Sequence, residues 1–184
     1  MKSKNRGNAF ERKIARELSL WMFNKKDILR RHPDSGLTKV NYAGDICPAN
    51  QLPSSWNNKF PFFIEVKYGY KNNGIPTIWN KTFLINWYIK ALGESKINNQ
   101  NNIFIINNFT NRKFNILTTE LYFGSQLILH ELSFPFTDCF GNISQLFIYN
   151  YQKIISIPFK KFHKIFFRQE DCLSQVGTIT NLHT

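Results

Sequence analysis

Cysteine is scarce in this chain, and its spacing suggests no framework. Cys47, Cys139 and Cys172 are an odd number, far apart, with no Cys-x-x-Cys unit. That argues against a disulfide scaffold and a four-ligand zinc site, leaving free thiols in a reducing compartment. The four histidines, His32, His130, His163 and His183, show no metal-ligand spacing. No apolar run approaches the roughly 18–20 residues that a membrane span needs. Met1–Arg6 leads into a charged segment without the apolar stretch of a secretory signal, so a cytoplasmic protein is expected. Repeats of about 20–50 residues are lacking, as is any Pro/Gly/Ser linker, and the expectation is one domain over residues 1–184. Acids are few as well: 12 Asp and Glu against 24 Lys and Arg, a net charge of +12. Such an excess calls for a polyanionic partner, nucleic acid first and an anionic membrane surface second.

What is present is enough for a core, with 42% hydrophobic and 16% aromatic residues. Asn8 to about Asn24 reads as a helix capped by Asn8. At 100° per residue, Phe10, Ile14, Ala15, Leu18, Trp21 and Met22 fall within an arc of about 140°. Glu11 falls inside that arc, while Arg12, Lys13 and Arg16 point away. A carboxylate on a buried stripe is the odd feature. Asp27–Arg31 is a short strand candidate, His32–Gly36 has turn chemistry, and Tyr42–Ile46 leads toward another strand. Pro48–Lys59, polar and proline-bearing, reads as a surface loop. Phe60–Tyr68 is the most strand-like run, with Phe62, Ile64 and Val66 on one face and Phe63, Glu65 and Lys67 on the other. Trp79 to about Leu92 reads as a helix stopped by Gly93. Ile103–Ile106 is a buried strand, Phe114–Leu117 and Leu146–Tyr151 are weaker ones, and Phe159–Phe167 is a helix candidate. This order gives an α/β domain around a mixed sheet.

The chemistry resides in Glu11, Asp45, Glu65 and Lys67. Glu-x-Lys occurs three times, at Glu11-Arg12-Lys13, Glu65-Val66-Lys67 and Glu94-Ser95-Lys96. Only the middle unit lies in a strand pattern, where period two puts both side chains on one face; on a helix, residues two apart diverge. Hydrolysis of a phosphodiester calls for a hard cation that polarises the phosphoryl oxygen and acidifies an attacking water, and carboxylates suit Mg²⁺. Asp45 and Glu65 would supply ligands from neighbouring strands. Lys67 would orient or deprotonate the water and stabilise charge on the phosphate, and Glu11 would hold a bound water or help place a second ion. Read alone, Glu65 and Lys67 would be a salt bridge on a half-exposed strand, and Glu11 an ordinary helix acid paired with Arg12 or Lys13.

The combination resembles the PD-(D/E)xK nuclease superfamily. Gly44-Asp45-Ile46 and Phe63-Ile64-Glu65-Val66-Lys67 match its Asp and Glu-x-Lys elements, and Arg6-Gly7-Asn8-Ala9-Phe10-Glu11 its N-terminal helix. Within it the chain is most similar to Holliday-junction resolvases of archaeal and Gram-positive bacterial or phage type, which also carry an Arg followed by Ser-Gly before the Asp, as do Arg30 or Arg31 with Ser35-Gly36. The likeness covers residues 4 to about 108 well and the extension from about 109 to 184 only faintly. It implies a restriction-endonuclease-like core, with a central mixed sheet flanked by helices. It also implies a Mg²⁺-dependent cut, with Mn²⁺ as a substitute, leaving 5′-phosphate and 3′-hydroxyl ends, and a homodimer nicking two strands of a four-way junction. The ligands it implies are Asp45, Glu65, the Val66 main-chain carbonyl and, through water, Glu11. Its DNA contacts would be Lys4, Arg6, Arg12, Arg30, Arg31, Ser35, Gly36 and Lys71. Pro33-Asp34 spells the family's dipeptide literally, so Asp34 stands as the alternative metal ligand. Asp45 is preferred because an apolar residue follows it. Two rivals remain: a nuclease acting on linear DNA, and a basic DNA-binding protein without catalysis.

Overall fold

The structure, a computed structural model, describes residues 2–33, 42–49, 51–56, 59–69, 81–108, 115–138 and 141–166. The long N-terminal helix α1 (Lys2–Phe23) comes first. Then come the short strands β1 (Leu29–Arg31) and β2 (Ile46–Pro48) and the longer β3 (Phe62–Tyr68). Helix α2 (Lys81–Ile97) leads to β4 (Asn102–Asn108), β5 (Asn115–Thr119), β6 (Ile128–Thr137) and β7 (Ile143–Asn150). The short helices α3 (Tyr151–Ile155) and α4 (His163–Phe166) close the described chain. Among the described residues, no helix is long and apolar enough to cross a membrane.

The five longer strands form one sheet in the order β3-β4-β5-β7-β6, with β3 and β4 parallel and the other pairs antiparallel. Joining parallel strands requires a crossover, and α2 is the helix of that connection. This is the expected α/β fold, a central mixed sheet flanked by helices, consistent with a restriction-endonuclease-like core. One face carries α1, α3 and α4 over Phe62, Ile64, Val66, Phe104 and Ile106. The other carries α2 over Phe63, Ile103, Ile105, Ile116 and Ile148. The β1–β2 hairpin lies beside the sheet and is tied to β3 by a parallel bridge between Gly44 and Ile64.

Several boundaries differ from the sequence reading. Helix α1 begins by Lys2, so Asn8 is an interior residue and not its cap; the polar segment before it continues the helix through Gly7. Its end falls where expected, with Asn24 in the left-handed region at φ 52°. Helix α2 runs through Gly93, which is exposed, and its last residue is Ile97, two before Asn99 with φ 53°. Asparagine tolerates that conformation and here takes the role assigned to glycine. The supposed surface loop buries Leu52 and Trp56, the indole stacking on Phe159. Strand β6 was not foreseen. Phe134 and Phe136 point inward around an exposed Pro135, and among the described residues the strand pairs only with β7, an edge position where proline is tolerated.

Candidate active site

Three elements converge at the outer edge of β3. Residues Ile64 and Val66 turn their side chains into the α1 core, while Glu65 and Lys67 stand partly buried on the α2 side. Asp45 lies in the bend ahead of β2. Its N–H donates to the Ile64 carbonyl at 2.7 Å, and its own carbonyl accepts the His32 N–H at 2.7 Å. Asp45 is therefore wired between β3 and the end of β1. Gly44 makes this approach possible. Its φ is +90°, and a Cβ there would lie 2.6 Å from the Ile64 carbonyl oxygen and 2.9 Å from the Ile64 nitrogen. Glycine is the residue that fits.

The Asp45 carboxylate accepts the Val66 N–H at 2.8 Å through Oδ2. A residue's N–H and C=O leave a strand on the same side, so the Val66 carbonyl faces the same edge as Asp45. Burial foremost, then the nearby Glu65 and Glu11 charges, push the Asp45 carboxyl up to about 7, against the opposing pull of the Val66 N–H and Lys67. Glu11, Asp45, Glu65 and Lys67 are thus brought within electrostatic reach of one another.

Two of these acids are matched by cations. Glu11 Oε2 is 2.6 Å from Arg31 Nε, and Glu65 is paired with Lys67, whose ammonium also lies 5.8 Å from the Trp87 ring centroid. Among the described residues, no group of three or more His, Cys, Asp or Glu side chains is arranged to hold a metal ion. Glu11 leans to Arg31 and Glu65 to Lys67, so a shared ion would have to draw both from these partners. The donor set itself suits a hard divalent cation: carboxylate oxygens, a peptide carbonyl on the same edge, and an Asp whose charge is opposed by two acidic neighbours.

The expected DNA contacts divide. Arg6, Arg12 and Arg30 are exposed, and Lys4 lies on α1 with its side chain outside the described residues. Arg31 turns inward to Glu11. Ser35, Gly36, Lys71 and the alternative ligand Asp34 lie outside the described residues, as does Trp79, the expected start of α2. Sequence reasoning missed Gln100. Its Oε1 accepts the Ala43 N–H at 2.9 Å and its Nε2 donates to the Phe62 carbonyl at 2.6 Å, pinning the approach to Asp45 against β3. Nothing in the surrounding run of asparagines distinguishes it. Cys47, next but one to Asp45 in sequence, is buried.

A mixed sheet with an Asp ahead of one strand and Glu-x-Lys on the next is the arrangement of PD-(D/E)xK nucleases. The chain belongs to the family described as "Phage putative PDDEXK endonuclease", whose model matches residues 2–165. That family places it among metal-dependent nucleases. No curated protein and no solved structure matches it.

Proposed function

We propose that the protein is a Mg²⁺-dependent DNA endonuclease acting on branched DNA, with the whole chain forming one nuclease domain. The observation that carries the reading is Asp45, half-buried against β3 and hydrogen-bonded to the Val66 N–H, with Glu65 and Glu11 close enough to help raise its carboxyl to about 7. Phosphate binding alone has no use for clustered carboxylates, which repel the ligand; a divalent ion does. Asp45, Glu65 and the Val66 carbonyl would hold Mg²⁺, or Mn²⁺ in its place, with Glu11 reaching it through water. When bound, the ion polarises the phosphoryl oxygen and lowers the pKa of an attacking water. Lys67 orients that water and opposes the charge growing on the phosphate. The Val66 N–H and the Gly44 turn hold Asp45 in place before substrate arrives. Arg6, Arg12 and Arg30 neutralise backbone phosphates, giving salt-dependent affinity without sequence choice.

The described residues of one chain form one such centre, so symmetric nicking of a four-way junction calls for a homodimer. The branched-DNA preference rests on the resolvase-like Arg and Ser-Gly elements. The test is cleavage of a synthetic four-way junction against a linear duplex of matched sequence, in Mg²⁺ and in chelator. Junction cleavage only with Mg²⁺ is expected. Preference for the duplex removes the branched-DNA reading and leaves the nuclease. Failure to cut either DNA in Mg²⁺ or Mn²⁺ removes both.

A further inference from the structure

Asn107 stands on β4 at the position that the parallel register pairs with Lys67. Parallel partners send their side chains to the same face about 4.8 Å apart. The amide is therefore the lateral neighbour of the lysine, on the face that α2 covers. Asn107 is 1% exposed, yet among the described residues neither its Oδ1 nor its Nδ2 has a hydrogen-bond partner. Buried amides are rarely left in that state, and a natural one calls for an explanation. On its other side Asn107 is paired with the apolar Ile116. Lys67 is the polar group beside it in that row.

The proposed chemistry makes two demands on Glu65, which in this structure holds the Lys67 ammonium and in the nuclease would hold a cation. A carboxylate committed to a divalent ion is a poorer acceptor for an ammonium. An oxygen beside the half-buried Lys67 can then receive the ammonium in place of Glu65. We propose that Asn107 Oδ1 is that oxygen: a positioning residue that receives the Lys67 ammonium when Glu65 turns to the ion. This inference rests on the nuclease reading. It gives the unsatisfied amide a purpose and holds Lys67 beside the reacting phosphate.

The test compares Asn107→Leu, which keeps the volume and removes both polar atoms, with Asn107→Asp, which keeps an acceptor. Single-turnover cleavage at saturating Mg²⁺ is measured beside DNA affinity in chelator and the melting temperature of the metal-free protein. Asn107→Leu is expected to cut about 10- to 100-fold more slowly, the scale of a misplaced catalytic group. Its DNA affinity should be unchanged and its melting temperature equal or higher, because an unsatisfied amide has gone. Asn107→Asp should recover most of the rate. Wild-type cleavage by Asn107→Leu overturns the proposal, as does a slow variant that has also lost stability and DNA affinity, the pattern of a structural role. Asp45→Asn runs alongside. If it is inactive while Asn107→Leu cuts normally, this inference alone fails; if the wild type cuts no DNA, the nuclease reading falls and takes this one with it.

Discussion

At the residue scale, the decisive feature is a carboxyl group held where its charge is unwelcome. Asp45 loses water through burial and faces Glu65 and Glu11, so its folded pKa of about 7 lies above the ordinary 3.8. An acid with a raised folded pKa binds more protons folded than unfolded, so stability falls as pH rises between the two values. In chelator, the denaturation midpoint should therefore be higher at pH 5 than at pH 8. Asp45→Asn should flatten that difference, and Mg²⁺ should restore stability more at pH 8 than at pH 5. Urea titrations at the two pH values check this; an equal pH slope in Asp45→Asn contradicts it. Asp45 and Glu-x-Lys were legible because the strand period joins Glu65 to Lys67 and the Asp precedes an apolar residue. Asn107 and Gln100 were not, because each looks like its neighbours in an asparagine-rich chain until strand register and a long-range hydrogen bond give it a position.

At the scale of elements, the site depends on a bend being pressed onto a strand. Gln100, in the connection between α2 and β4, satisfies a peptide donor before the bend and a peptide acceptor on β3. Gln100→Leu would leave both buried peptide groups unpaired, at about 1–3 kcal/mol each before relaxation. We expect it to lower stability by about 2 kcal/mol and to slow cleavage with it. A urea midpoint unchanged from wild type contradicts the clamp. The elements that were read well are those whose period is unbroken: the α1 stripe from Phe10 to Met22 and the alternation along β3. The misread ones turn on single residues. Helix α2 stops two residues before Asn99 and not at Gly93, and Pro135 disguises β6 as a non-strand although an edge tolerates it. Leu52 and Trp56 show that a loop polar on average still contributes core, because two large apolar side chains suffice to anchor it.

At the scale of the whole molecule, charge and fold divide the work. The net +12 charge draws the chain to a polyanion, while the sheet holds an acidic point within that positive field. Arg30 is exposed and Arg31 is paired with Glu11, so the two adjacent arginines should behave differently. Arg30→Ala should reduce the slope of log affinity against log salt by about one, the loss of one phosphate contact. Arg31→Ala should change that slope less. Binding measured across a salt series decides it, and equal slopes for wild type and Arg30→Ala remove Arg30 from the interface.

In the proposed nuclease, Asp45 and Glu65 share one divalent ion. Calorimetric titration of Mn²⁺ into the wild type, Asp45→Asn and Glu65→Gln tests it without any DNA. A binding event is expected in the wild type, and either substitution should abolish it while the fold survives. Undiminished Mn²⁺ binding by both variants would contradict it.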